Sequence, residues 1–481
     1  MRTLHGRLGR AYQRIAELEG RDPQLALDQL LEDLQQAELE RQRREQAELA
    51  AETQAKPKQK RERKPQTGHG PRPQSALPVV EVVAELSEEQ AVCQVCGGRA
   101  EPLGDQFEES EEIHVIERQY VKRRIRRRKY RCRCNACVIT APGPLRVIPG
   151  GRYSVDFMVQ VAADKWLDHI PLERQSRIQA RHGLETGSQT LFDQAWGLAQ
   201  RMRPIYDRLG QRVLEAPVLH ADETRWPRLD AREASPWTVW TRTTPDIAHY
   251  AILPSKSRKA ADTLFADYRG TIVVDGYQVY ESLARDGPDL ELANCWAHVR
   301  RKFAENRENF PVPCTRVLEK IRRLYDVEDE VGGPFPGDAE AQRERGRLRA
   351  EKSKPIVEEI RGWACAEVGL PRSELGKAVR YMLKRWQALT RFLDDARIPL
   401  DNNAAERSLR GPVVGRKVHY GSKSKRGTEV AAIFYTLFET AKLCGVEPVD
   451  YLRQATLRIL ENPEDLLLPH DLRPPGGEPN T

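Results

Sequence analysis

Three acidic residues in this chain have the types and settings that phosphodiester chemistry asks for. Asp222 ends the apolar run Pro217-Val-Leu-His-Ala-Asp, and Asp275 ends Thr271-Ile-Val-Val-Asp. Glu406 lies within Asp401-Asn-Asn-Ala-Ala-Glu-Arg-Ser-Leu-Arg. A single acid after an apolar strand commonly only turns the chain or caps a helix. Three that converge have another use. Breaking a phosphodiester needs an activated water or hydroxyl and a stabilised leaving oxyanion, and two Mg2+ (or Mn2+) ions roughly 3.5 to 4 Å apart supply both. Hard carboxylate oxygens select those ions over zinc. On this reading Asp222 bridges the two ions, and Asp275 and Glu406 each complete one site. Glu223, the neighbour of Asp222, points to the other side of its strand and serves a supporting role.

A second group of residues has a different chemistry. The pairs Cys93-x-x-Cys96 and Cys134-x-x-Cys137 each set two thiolates on a tight turn, the half-site of a tetrahedral four-cysteine centre for one structural Zn2+. Between them lie two β-rich runs, residues 112–121 and 125–132, which suit a zinc-ribbon hairpin; Cys132 is a spare ligand. Across residues 120–133 nine of the fourteen positions are Lys or Arg and none is acidic, a density that repels itself unless phosphates neutralise it. Lys122, Arg123, Arg124, Arg126, Arg127, Arg128 and Lys129 are therefore read as contacts to double-stranded DNA. This run carries +9 of a net +7, leaving the other 467 residues at −2. The chain is not generally basic; one segment is.

The elements that must position these groups follow from the pattern of the sequence. Three strands, beginning at Pro217, Trp237 and Ile247, precede an alternation of helices with strands at Thr271 and Leu290. That is the order of a ribonuclease-H-like sheet, in which the first and fourth strands are neighbours and Asp222 and Asp275 meet. Residues 310–396 are helical and highly charged and read as an insertion. Beyond it, Asp401 or Asn402 caps a helix carrying Glu406, with Arg410 one turn further on. Upstream, a helix after Pro171 ends at Gly183 and a second starts near Ser188. Together they fit a helix-turn-helix with Gln189, Thr190, Asp193 and Gln194 on its outward start.

The chain is thus read as multidomain, mixing α+β and α/β modules. Residues 1–54 are a helical segment with a short coiled-coil pattern, and 55–82 a basic, disordered linker. A zinc-ribbon DNA-binding domain covers 83–145, and a helix-turn-helix-like helical domain 150–215. The catalytic core occupies 216–309 and 399–430 around the insertion 310–398, and 431–481 form a C-terminal helical element and tail. Within the last, the stretch from Val430 reads as an amphipathic helix stopped by Gly445.

The strings His220-Ala-Asp-Glu-Thr, Val274-Asp-Gly-Tyr, Cys295-Trp-Ala-His-Val-Arg-Arg-Lys-Phe, Asp401-Asn-Asn-Ala-Ala-Glu-Arg-Ser-Leu-Arg, Val414-Gly-Arg-Lys and Tyr435-Thr-Leu-Phe-Glu-Thr-Ala-Lys-Leu-Cys-Gly-Val-Glu-Pro strongly resemble the transposases of insertion-sequence family sixty-six. The resemblance covers roughly residues 90 to 460. It implies a DDE catalytic core interrupted by a helical insertion, with Asp222, Asp275 and Glu406 on the triad, and small accessory proteins encoded alongside. Cys295 and His298 resemble the Cys-two-His signature of many DDE transposases and are read as supporting residues, not zinc ligands. Arg225 departs from the family, which usually has proline after Asp-Glu-Thr. Arg407, Arg410, Arg416 and Lys417 gather near Glu406 in sequence and are read as grips on phosphates beside the scissile bond.

Composition sets the outer bounds. The 481 residues have 78 Lys and Arg against 71 Asp and Glu, with a mean hydropathy of −0.66. No segment approaches the roughly 18 to 20 apolar residues of a membrane span, and the N-terminal residues lack the apolar core of a signal peptide. A cytoplasmic protein without membrane association is expected, and nine cysteines are too few for a disulfide scaffold. The leading expectation is a transposase that binds its element's terminal repeats, cleaves with two metal ions and joins the freed 3′-OH to target DNA. It would act as a homo-oligomer when two ends are synapsed. The alternatives are a DNA-binding regulator on the same fold and a structure-selective nuclease.

Overall fold

The computed structural model describes residues 119–131, 138–229, 237–287, 289–332, 338–366 and 372–474. The coiled-coil pattern, the linker, and the cysteines 93, 96, 132, 134 and 137 lie outside the described residues. Gln119–Thr481 make up one compact unit. No described helix is long and apolar enough to cross a membrane.

The basic run enters this unit without regular structure. Residues 119–128 form neither helix nor strand, and only β1 (Lys129–Arg131) pairs, antiparallel, with β2 (Val138–Thr140). The strand expected from residue 125 is therefore shorter. A reason is at hand: residues 122–129 are exposed, so their cationic side chains find no second layer to pack against.

Three helices follow: α1 (Val155–Trp166), α2 (Leu172–Arg181) and α3 (Ser188–Arg212). The two helices read around a Gly183 turn are α2 and α3. The second is far longer than a short recognition helix, and Leu191, Ala195, Leu198, Met202, Ile205 and Leu209 bury one stripe of it in the main core. The sheet consists of β3 (Val218–Trp226), β4 (Trp237–Thr243), β5 (Ala248–Leu253), β6 (Gly270–Val274) and β7 (Leu290–Asn294), in the order β5-β4-β3-β6-β7. The first three pair antiparallel and the last two join β3 in parallel. As the expected order requires, the first strand lies beside the fourth.

Both faces of the sheet are covered. Helices α4 (Arg258–Phe265) and α5 (Gln278–Asp286) pack Ala261, Leu264, Phe265, Tyr280 and Leu283 against Leu219, Ala221, Trp240, Ile272 and Val274. On the other face α1, α3 and two C-terminal helices meet Trp226, Val239, Tyr250 and Ile252. The insertion also has an apolar core, which Val273, Ala293, Trp296 and Phe303 of the sheet region share. It comprises α7 (Pro311–Glu330), α8 (Ala339–Leu348), a π-turn (Arg349–Ser353), α9 (Lys354–Ala366), α10 (Glu374–Lys384) and α11 (Trp386–Thr390), entered through α6 (Trp296–Glu305). The chain returns through α12 (Asn403–Ser408) and α13 (Arg410–His419), then ends in α14 (Lys425–Leu443) and α15 (Pro448–Glu461).

Two expectations change here. Instead of showing one apolar face, α14 is buried without interruption from Val430 to Phe438. It covers the edge of the sheet: the Ala248 and Tyr250 amides of β5 donate to the Thr440 and Thr436 hydroxyls at 3.2 and 3.0 Å. An exposed strand edge would otherwise leave those groups to another chain or to water. Second, the helix expected to carry both Glu406 and Arg410 is broken at Leu409. Pro412 has no N–H for the Ser408 carbonyl, and that carbonyl instead accepts from the Tyr250 hydroxyl at 2.7 Å.

Candidate active site

The parallel pairing of β3 with β6 decides where the first two carboxylates stand. Val218 pairs with Thr271 and His220 with Val273, the last pair, so Asp222 within β3 and Asp275 just beyond β6 each follow that pair by two residues. Adjacent strands lie about 4.8 Å apart, and level residues project from the same face. The next residue projects from the other. There Glu223 is neutralised, receiving a hydrogen bond from the Tyr280 hydroxyl at 2.7 Å and an ion pair from Lys256 at 2.8 Å. Burial raises the Glu223 carboxyl, with those two partners opposing it.

Asp222 has no such cation. Its Oδ1 accepts from the Glu223 amide at 2.8 Å. Burial, then the charges of Glu223, Asp275 and Glu406, push its carboxyl up to about 7, against the pull of that amide. Asp275 sits in a tight turn in which its Oδ1 accepts from the Tyr277 amide at 2.9 Å, and Gly276 supplies a φ of +99° that a side chain would resist.

Glu406 reaches the site through a buried amide. Asn402 immediately precedes α12, but its side chain does not make the cap that the sequence suggested; Asp401 instead accepts from the Asn403 amide at 3.1 Å. Asn402 Nδ2 donates to the Ala221 carbonyl at 2.8 Å, so its oxygen faces His220 Nδ1 at 3.0 Å, and that nitrogen carries the hydrogen. Its backbone amide donates to Cys295 Sγ at 3.2 Å. Burial holds His220 neutral, its ring pulled down to about 4 despite the Asn402 bond. One residue thus ties the Glu406 helix to the strand immediately before Asp222.

The basic side chains beside Glu406 are not the ones gathered near it in sequence. Arg301 lies at 3.8 Å and His298 Nδ1 at 3.7 Å, both from α6. Glu406 Oε1 is buried and accepts no hydrogen bond among the described residues. Arg407, Arg410 and Lys417 are exposed, whereas Arg416 turns back to the end of β3, donating to Thr224 Oγ1 at 3.0 Å and to the Arg225 carbonyl. Cys295 is buried, and Gln189 is exposed and bonded to Asp193 at 3.0 Å, with Thr190 half-buried beside it. Arg301 and Asn402 lie within strings that the sequence singles out. Their roles depend on packing, and no local pattern marks them.

The donor set fits divalent cations. Asp222 is flanked by the charges of Asp275 and Glu406, and Glu406 Oε1 is buried without a donor among the described residues. Among the described residues no three His, Cys, Asp or Glu side chains are close enough to enclose a single ion. Mg2+ is commonly held by one or two carboxylates with water and substrate phosphate, not by an all-protein cage, so pairs of acids suffice.

A mixed α/β sheet with one acid on its central strand and another just past the neighbouring strand, followed by a helical insertion, suits the core of an enzyme that processes nucleic acid. The model of the family described as "Transposase IS66 family" matches residues 150–430, from the start of the helical segment through the Glu406 helix. The chain belongs to the IS66 transposase family. It is similar to "Uncharacterized protein y4jD" of Sinorhizobium fredii, 31% identical over 406 residues, covering 80% of this chain and 77% of that one. Two more proteins of that organism, y4qI and y4hP, are 30% and 29% identical, over 84% and 78% of this chain and 78% and 72% of their own lengths.

Proposed function

We propose that this protein is a DDE-type DNA transposase that binds the terminal repeats of its insertion sequence, cleaves at the element ends and transfers the freed strand into target DNA. Asp222, Asp275 and Glu406 are its catalytic carboxylates. When bound, two Mg2+ (or Mn2+) ions would activate the attacking hydroxyl and neutralise the leaving oxygen. Asp222 would serve both ions, Asp275 and Glu406 one each. His298 and Arg301 orient Glu406 and temper its charge, and Asn402 keeps its helix in register with the strand of Asp222. No covalent protein intermediate is required.

The DNA-holding parts belong to the same reading. The exposed cations Lys122, Arg123, Arg124, Arg126, Arg127, Arg128 and Lys129 grip phosphates. Cys93, Cys96, Cys134 and Cys137 hold one Zn2+ that staples the ribbon. Helices α2 and α3 present Gln189 and Thr190 to the element ends, and Arg407, Arg410, Arg416 and Lys417 lie along the strand near the cleaved bond. Two chains synapse two ends, with accessory proteins of the element as further partners.

The reading is supported by the parallel register of β3 with β6, whose last pair, His220 with Val273, stands two residues before Asp222 and two before Asp275. The test replaces Asp275 with Asn and assays strand transfer on end-containing DNA with Mg2+. Loss of both cleavage and joining is expected; full activity would sink the assignment. Hydrolysis without joining in the wild-type protein would favour a nuclease.

A further inference from the structure

The helical insertion touches the turn that carries Asp275. Tyr381 and Arg385, at the end of α10, lie more than a hundred residues further along the chain. The Tyr381 hydroxyl donates to the Asp275 carbonyl at 2.6 Å, and Arg385 NH2 donates to the Gly276 carbonyl at 2.8 Å. The same guanidinium ion-pairs with Glu281 of α5 at 3.2 Å, joined there by Lys384 at 3.4 Å. Its Nε and Cζ fill the space that a Cβ on Gly276 would need. The Tyr381 ring carries a cation near it from each of two helices, Arg385 at 4.1 Å and Lys302 of α6 at 4.5 Å. The stack ends on the backbone of the Asp275 turn.

Packing alone would not call for this arrangement. The apolar core of the insertion is built without Arg385, whose side chain is 11% exposed. An arginine buried to that degree whose donors go to a carbonyl and a carboxylate at a turn fixes that turn. Held on both carbonyls, Asp275 cannot swing out of line with Asp222 when its charge is repelled.

We infer that the insertion is a working part of the metal-binding site, with Arg385 and Tyr381 as positioning residues that lock the Asp275–Tyr277 turn. This rests on the proposed metal role of Asp275. The experiment titrates Mn2+ into the full-length protein, following free Mn2+ by electron paramagnetic resonance, for wild type, Asp275→Asn, Arg385→Ala, Arg385→Lys and Tyr381→Phe, with thermal melts in parallel. Loss of a group that orients a metal ligand weakens metal binding by about tenfold or more. Arg385→Ala is expected to bind Mn2+ about tenfold more weakly and Tyr381→Phe several-fold more weakly, with Arg385→Lys between Arg385→Ala and wild type. High Mn2+ should restore cleavage to the Arg385 and Tyr381 variants but not to Asp275→Asn. Tyr381→Phe removes only one hydroxyl, so it decides the matter if Arg385→Ala does not fold. Unchanged Mn2+ affinity in Asp275→Asn would overturn the function reading itself. A loss in Asp275→Asn beside wild-type affinity in folded Arg385→Ala and Tyr381→Phe would overturn this inference alone.

Discussion

Two regions of this protein hold charge that the chain itself does not balance, and they hold it in opposite ways. Along residues 122–129 seven cations stand in water, all exposed and all but Lys129 outside any helix or strand. Around Asp222 of β3 the charge is buried: its carboxyl is driven up to about 7, and Glu406 Oε1 has no hydrogen-bond donor among the described residues. Solvated charge costs little to carry and needs no scaffold. Buried like charge is expensive, so it must be held by a network that cannot relax. The sheet register, the Asn402 bridge and the clasp on the Asp275 turn are that network. The contrast extends to Asp222 and Glu223, adjacent in sequence, since only Glu223 is supplied with a lysine and a tyrosine hydroxyl.

The largest effect should come from the buried region. Asp222→Asn is expected to lower strand transfer by about a thousandfold or more, because several kcal/mol of metal-mediated stabilisation is lost and each 1.4 kcal/mol is a factor of ten. The same change should stabilise the metal-free protein. Asp222 is raised from 3.8 to about 7 on folding. The folded state therefore keeps its proton longer, and this contribution to stability is present below pH 4 and lost as the pH rises through 7. Melts of the metal-free wild type should drop relative to Asp222→Asn between pH 5 and 8, and Mn2+ should protect the wild type more at pH 8. Equal pH profiles for the two proteins would break the comparison.

Neutralising the seven cations should act on binding and leave the fold alone. Each lost phosphate contact lowers the slope of log affinity against log salt by about 0.9, so a fall of several units is expected on element-end DNA, with an unchanged melting temperature. A nearly unchanged slope would show that the strip does not grip DNA.

The remaining changes test the scaffold. Asn402→Ala leaves the Ala221 carbonyl and the buried His220 ring without their amide partner, and should destabilise by about 2 to 3 kcal/mol in denaturant melts. It should also weaken Mn2+ binding by displacing Glu406. Thr436→Val removes one acceptor from the β5 edge and should cost about 1 kcal/mol, without effect on Mn2+. If the two variants behaved alike toward metal, the network around the acids would not differ from ordinary packing.

Much of the fold was legible because it is local or periodic. The strands, the helices either side of Gly183 and the charged insertion follow from apolar spacing and turn residues, and alternation along β3 predicts that Asp222 and Glu223 part. Two local readings failed where tertiary contacts intervened. Nothing within the stretch after Val430 tells that the helix is covered on all sides, because its Thr436 and Thr440 read as polar until an unpaired strand edge is placed beside them. Pro412 announces a helix break, but Tyr250, which takes the freed carbonyl, is 158 residues away.

By itself the sequence determined the chemistry available: which acids follow apolar runs, which cysteines stand at two-residue spacing, where the positive charge lies, and the family whose strings it carries; Asp222, read as ending its strand, lies inside β3, which runs on to Trp226. Only the tertiary structure decided how those groups are held. Arg301 in place of the Arg407–Lys417 group beside Glu406, Asn402 as a bridge instead of a cap, and Tyr381 with Arg385 on the Asp275 turn are all long-range contacts. Residue types and spacing encode what a side chain can do, while its partners depend on which distant segments the burial of apolar surface brings together.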